Sequence, residues 1–233
     1  MNQGMKNGLT ISAIALVVTS ALALWAPTQL EAGTQVPVHW GPSGADRFAD
    51  AGEAVRYLWI MPGAIVFTGL LFVCMPLLDP FRANLEKSLK AYLAVWGACA
   101  VLLSFIQLGF VAAMTGNLSN EGEMVRWIMA ASSLFFVIMG NYLPKTRASF
   151  IFGIRTPWTL TSDTSWEKTH RLGGRLFILV GLVGFAGAFT LDGLSLALML
   201  PAMLLPILLV LTVYSYLVWR KAEDKAVSSD FII

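Results

Sequence analysis

Charge is what this chain has least of. Asp, Glu, Lys and Arg make up 13% of its 233 residues, against about 25% in soluble domains, and mean hydropathy is +0.69. An ordinary soluble domain is excluded. Histidine is nearly missing: His39 and His170 stand 131 positions apart, so no H-E-x-x-H zinc site can form. No Gly-rich phosphate loop of the Walker type occurs, and no G-x-S-x-G nucleophile elbow. Only two cysteines are present, Cys74 and Cys99. Both fall inside apolar runs at depths that differ by ~15 Å at 1.5 Å per residue, which makes them packing residues and not a redox or metal pair. The sequence therefore offers no catalytic, cofactor-binding or metal-binding set and reads as a non-enzyme without a cofactor.

What is abundant is apolar length. Hydrophobic residues make up 57% of the chain, and six runs reach the 17–25 residues that a helix needs to cross a bilayer. They are Leu9–Trp25, Tyr57–Leu78, Leu89–Met114, Val125–Leu143, Leu172–Thr190 and Ser195–Trp219. None alternates as a barrel strand does. The reading is an all-α integral membrane protein with six transmembrane helices, a single membrane domain over 1–233. The first run also fits a secretory signal peptide, with Lys6 before it and Ala21-x-Ala23 near its end. Its length and Trp25 favour a retained anchor.

The few cations are unevenly placed. With a cytoplasmic N-terminus, the inside segments hold Lys6, then Arg82, Lys87 and Lys90, then Lys145, Arg147, Arg155, Lys168, Arg171 and Arg175, then Arg220, Lys221 and Lys225. The outside keeps Arg47, Arg56 and Arg126. Thirteen of the sixteen cations lie inside, as the positive-inside rule demands. Both termini are then cytoplasmic, 27–56 is a long extracytoplasmic loop, and 141–174 is a cytoplasmic segment.

In the outer loop, Thr34–Trp40 reads as extended with Pro37 at an edge, Gly41-Pro42-Ser43-Gly44 as a turn, and Asp50 as the cap of a helix starting near Ala51. Pro62 is expected to kink that helix. His39, beside Trp40, shows no partner in the sequence and reads as a structural imidazole. In the inner segment, Pro144 ends the fourth run and Pro157 bars an ordinary helix through Gly153–Leu160, pushing Thr156 to an extended conformation. Thr164 and Glu167 form a capping box, Glu167 and Arg171 an i,i+4 pair, and Trp166, His170, Gly173 and Gly174 share one helix face. Trp158 and Trp166 read as interfacial anchors. Lys145, Arg147, Arg155, Lys168 and Arg171 serve as topology signal, anionic-lipid contact or docking surface for an acidic partner. Gly181, Gly184 and Gly187 predict a close helix–helix interface. Asp163, Glu167 and His170 lie close in sequence, but a solvated helix start explains the two acids.

No ionisable group falls mid-membrane. Asp79, Arg126 and Asp192 sit at run ends, and the buried polar residues are neutral: Ser104, Gln107, Ser132, Ser133 and Asn141. Gln107 and Ser104 are expected to bond between helices. Ion-coupled transport is disfavoured on this ground.

The motifs Gly140-Asn141-Tyr142-Leu143-Pro144-Lys145, Phe152-Gly153-Ile154-Arg155-Thr156-Pro157-Trp158-Thr159-Leu160 and Trp166-x-Lys168-Thr169-His170-Arg171-x-x-Gly174 together resemble the signature of the SdpI family of bacterial membrane proteins. Val36-Pro37-Val38-His39-Trp40, Gly44 and Asp46 resemble the pattern of the small domain that precedes that signature. Where the family has Pro-Asn, this chain has Ala148-Ser149. The resemblance implies a multi-pass inner-membrane protein that gives immunity to a membrane-active toxin peptide and sequesters a cytoplasmic ArsR-type repressor, without touching nucleic acid itself. Its partners are the bilayer, the peptide outside and the repressor inside. Pro37, His39, Trp40, Gly44 and Asp46 would form an outer recognition loop, and Gly153–Arg171 would face the repressor. The alternative is a small-molecule or lipid transporter or binding protein without ion coupling, with a membrane enzyme using His170 as the third reading.

Overall fold

The computed structural model describes residues 2–41, 44–118 and 122–225. Long helices are α1 (Asn2–Trp25), α3 (Ile60–Leu78), α5 (Leu89–Met114), α6 (Glu123–Tyr142), α8 (Asp163–Ala188) and α9 (Gly193–Arg220). Short ones are α2 (Ala51–Ala54), α4 (Arg82–Lys87) and α7 (Pro157–Leu160). With their flanking turns, the six long elements are long and apolar enough to cross a membrane. The chain is an all-α multi-pass protein, as its composition requires. Helices α1, α3 and α5 pack together, α6, α8 and α9 pack together, and α5 against α6 forms the seam between the two groups.

Apolar burial drives association weakly inside a bilayer, where lipid tails are as apolar as leucine. Close packing and hydrogen bonds do the work instead. In the first group Phe72 stacks on Trp96 with centroids 5.2 Å apart, and the Tyr92 hydroxyl donates to the Phe72 carbonyl. Trp96 Nε1 donates to Ser12 Oγ at 2.8 Å. Helix α1 comes this near because residue 8 is glycine: a Cβ there would lie 2.3 Å from the Trp96 ring. In the second group α6 and α8 meet backbone to backbone. A Cβ on Gly140 would stand 2.6 Å from the Gly174 carbonyl, and one on Gly181 2.5 Å from the Ser133 carbonyl. Gly184 faces Ser133, whereas Gly187 faces Met199 of α9. The glycine series is thus a packed interface with two partners.

Among the described residues the one strand pairing is a hairpin, β1 (Gln35–Gly41) antiparallel to β2 (Gly44–Asp50), bulged around His39. The turn expected at Pro42-Ser43 lies outside the described residues. Val36 and Val38 point into a cluster with Ala23, Ala26, Ala54, Leu58, Val111 and Met114, so the hairpin caps the first group at one end of the bundle. Asp50 accepts from the Gly52 N–H at 2.9 Å and starts α2, where the sequence placed a cap. Pro62 falls in the first turn of α3 after a 3-10 segment, Val55–Trp59. The helical backbone is continuous from Ala51 to Leu78, so the missing proline N–H leaves the Leu58 carbonyl, four residues back, without its helical donor, and Gln107 Nε2 takes that place at 3.0 Å. Helix α9 runs through Pro201 and Pro206.

Candidate functional site

The end of the bundle opposite the hairpin carries the motif segment, and most of it is built into the protein. Helix α6 stops at Tyr142, and Pro144 lies in a 3-10 turn, Leu143–Lys145. The chain then runs without regular structure to Thr156. Buried backbone groups must find partners, and here they find them on both helix groups.

On the first group, Arg147 N–H donates to Ser88 Oγ at 2.8 Å and Asn84 Nδ2 donates to the Ala148 carbonyl at 3.0 Å. The Ser149 hydroxyl donates to Asp79 Oδ2, while Phe150 N–H donates to Asp79 Oδ1 at 3.2 Å. Asp79 also accepts from Phe81 N–H at 2.8 Å. A 4% exposed carboxylate is thereby satisfied by three donors. Ser149 Oγ in turn accepts from the amides of Ile151 and Phe152. At this position the hydroxyl makes a side-chain-to-backbone bend of the kind that Asn and Ser make in turns.

On the second group, the bonds run through small hydroxyls. Thr156 is extended (φ −112°, ψ 161°), Pro157 opens α7 at its first position, and Thr156 and Thr159 cap each other. Proline is at home there because its missing N–H would have no partner and its φ is already helical. Thr156 Oγ1 meets Ser215 Oγ of α9 at 3.0 Å, and Ser165 Oγ donates to the Ser215 carbonyl at 2.9 Å. The cap of α8 is Ser162, not Thr164. Ser162 Oγ accepts from Ser165 N–H, and the Thr164 N–H goes to Asp224 Oδ2 at 2.9 Å. Glu167 likewise pairs with Arg147 at 2.7 Å instead of Arg171.

Between the two attachments lies a stacked pair. The His170 ring covers Trp166 at 3.9 Å between centroids and 17° from parallel. Trp166 Nε1 donates to the Thr146 carbonyl at 3.0 Å. Trp166 is 1% exposed, a buried buttress and not an interfacial anchor, while Trp158 is half-buried against Tyr216. His170 Nδ1 lies 2.8 Å from the Trp166 carbonyl, which can only accept. Its Nε2 receives the Ile154 N–H at 2.9 Å. The ring is therefore the neutral Nδ1–H tautomer with both nitrogens used, leaving nothing for acid–base chemistry with Glu167 or Asp163. Gly153 crosses this stack with φ +116°, and a Cβ there would sit 2.6 Å from His170 Nε2.

The motif residues thus divide. Thr156, Trp166, Thr169, His170 and Gly174 are buried, and Gly153 is pressed against the stack. Asn141, Pro144, Lys145, Arg155, Pro157 and Lys168 are exposed, as are Arg147, Arg171 and Arg175. The exposed cations form a basic rim around a folded core. Arg155 and Gly153 also line a cavity of about 430 Å³ that reaches Tyr142, Phe177 and Thr212. Asp224 belongs to the same corner. Burial alone would raise its carboxyl, but the bonds from Thr164 and Ser162 outweigh that and hold it below the usual range.

At the hairpin end, His39 has a partner that adjacency in sequence could not reveal. Its Nδ1 lies 2.5 Å from Asp46 Oδ1 across the strands, with both side chains more than half exposed. Gly41 makes room, since a Cβ there would strike Asp46 Oδ2 at 2.5 Å. Trp40 packs edge-on against Phe110 of α5 at 5.5 Å. Pro37 and Gly44 belong to the strands themselves.

Residues that sequence reasoning missed are Asp79, Asn84, Ser88, Ser215 and Asp224, which anchor the loop without belonging to it. The available signal was accounting: a run of irregular backbone beside a membrane needs donors and acceptors from elsewhere.

Residues 145–219 match the SdpI/YfhL protein family. The chain is 22% identical over 217 residues to the Immunity protein SdpI of Bacillus subtilis (strain 168), covering 93% of this chain and 97% of that protein. No solved structure matches it. The matched segment holds Trp166, His170, Gly174 and Ser215 of α9, and with six membrane-length helices this chain is a multi-pass protein of the bacterial inner membrane that is similar to the SdpI/YfhL family over that segment.

Proposed function

We propose that the chain is an immunity-type membrane protein that protects its cell from a membrane-active toxin peptide without catalysing a reaction. The observation that carries this reading is the extent of its similarity to an immunity protein. That similarity takes in 97% of the relative and so includes both ends of the bundle. In this reading the hairpin end faces outward, where the exposed His39–Asp46 pair and Trp40 meet the peptide. The motif end faces the cytoplasm, in keeping with thirteen of sixteen cations on that side and the positive-inside rule. There the rim of Lys145, Arg147, Arg155, Lys168 and Arg171 docks an acidic face of an ArsR-type repressor, while the buried motif residues hold the rim in shape.

Deleting the gene is expected to sensitise the cell to a cognate membrane-active peptide, with resistance restored by the intact gene. Unchanged sensitivity across a panel of such peptides refutes the immunity reading. For the repressor, the expected result is its recovery in the membrane fraction, lost when Arg147, Arg155 and Lys168 are all replaced by Gln. Recovery independent of those three refutes the docking surface.

A further inference from the structure

Beneath the hairpin, at the seam between the two helix groups, lies a cavity of about 340 Å³. Its walls come from β1, α3, α5 and α6 and include Trp40, Tyr57, Phe110, Met61 and Met129. Aromatic faces and flexible thioethers are surfaces that adapt to a flat apolar guest. Apart from the Tyr57 phenol at the outer end of its span, one polar side chain lines this space from within the membrane-spanning part, and it is Gln107. Gln107 is 0% exposed. Its Nε2 donates to the Leu58 carbonyl at 3.0 Å, which fixes the amide, because the flipped orientation would set oxygen against oxygen. Its Oε1 is buried and, among the described residues, has no partner. A buried acceptor left unmade costs about 1–3 kcal/mol, and almost all such groups in folded proteins are paired. His39, which also lines the cavity, is more than half exposed, so the space opens beside the hairpin.

We infer that this cavity is a binding site for a flat apolar group carrying a single hydrogen-bond donor, the chemistry of an indole or a phenol, with Gln107 Oε1 as the acceptor. The donor can come from a free small aromatic or from a Trp or Tyr side chain of a peptide. The inference goes beyond the immunity reading and does not need a toxin to be tested.

The experiment uses the full chain in lipid nanodiscs, with ¹⁹F NMR of 5-fluoroindole measured against empty nanodiscs. Saturable binding is expected, with 1-fluoronaphthalene, a fused-ring probe without the donor, binding about tenfold more weakly. Gln107→Leu should erase that preference, and Val125→Trp, which fills the cavity from α6, should abolish both signals. Displacement by free indole and by N-acetyl-tryptophanamide identifies a mouth wide enough for a side chain with its backbone attached. Displacement by indole alone identifies a small-molecule site. No saturable binding, or an undiminished preference in Gln107→Leu, overturns the inference. If Gln107→Leu fails to fold, the indole-to-naphthalene ratio in the native chain and the Val125→Trp loss still decide it. Saturable binding by the protein together with unchanged peptide sensitivity on deleting its gene counts against the immunity reading alone.

Discussion

Replacing Gly153 by alanine tests the architecture of the motif end more sharply than any change to a charged residue. Two separate costs are expected. At φ +116° an alanine backbone is strained by about 1–3 kcal/mol. The added methyl would also stand 2.6 Å from His170 Nε2 and 2.8 Å from the Trp166 ring. Neither ring can retreat freely, because His170 is bonded through both nitrogens and Trp166 through Nε1. Overpacking of this kind adds about 1–3 kcal/mol, so the total should lie at about 2–6 kcal/mol. Gly33 provides the control. Its φ is +82° and nothing lies within 4 Å of where a methyl would be added, so Gly33→Ala should show the backbone cost alone, about 1–2 kcal/mol. Equilibrium unfolding in mixed micelles measures both. Equal costs for the two substitutions, within about 0.5 kcal/mol, would refute the stacked Trp166–His170 arrangement over which Gly153 passes.

Asp79→Ala strands the Ser149 hydroxyl and two amides, and should destabilise the protein by about 2 kcal/mol or more. A double-mutant cycle with Ser149→Ala should return a coupling of about 1 kcal/mol or more, and additive losses would dissociate the two residues. Gly181→Leu should separate α6 from α8, read as a loss of the folded monomer band in detergent. Full recovery there would mean that the backbones do not meet. Because the Asp224 carboxyl is held below its ordinary value, its contribution is complete above the unfolded pKa of about 4 and is lost as pH falls through the lower folded value. Asp224→Asn should flatten that acid limb of the stability profile. With Cys74 and Cys99 replaced by alanine, an impermeant maleimide should label Gln35→Cys in intact cells and Lys168→Cys only after permeabilisation. The opposite pattern would invert the proposed orientation.

Hydropathy locates the helices well wherever a helix ends at the bilayer. Leu89–Met114 is legible to the residue, since Ser88 and the Thr115-Gly116 pair bracket a mostly apolar run whose one charge, Lys90, lies in its first turn. It places the start of α8 nine residues late because Asp163–Arg171 is helical but polar, and a hydropathy window cannot see a helix outside the membrane. The misplaced cap has a similar origin. Ser162 and Thr164 are both competent caps, and the choice falls to Asp224, sixty residues downstream, which takes the Thr164 amide. Trp166 misleads for the opposite reason. Tryptophan beside a membrane is usually an anchor, and its burial depends on a loop folding back from Thr146 and Gly153. The Asp79 and His39 contacts are equally nonlocal: a cross-strand pairing and a bond spanning seventy positions leave no local periodicity to read. The glycines of α8 are legible because close backbone approach restricts residue type directly.

The clasp formed by residues 147–165 has a mechanical consequence. It is bonded to Asp79, Asn84 and Ser88 on one helix group and to Ser215 and Asp224 on the other. The two groups cannot part there without breaking that whole set at once. At the other end, the hairpin rides on α1, α3 and α5, and Arg126 ties α6 to the turn between α8 and α9 through Ala188 and Asp192. Each group is braced internally there, and what lies between them is α5 against α6 and a void. The two groups are thus fastened by polar bonds at the basic rim and by the packing of α5 on α6 along the seam.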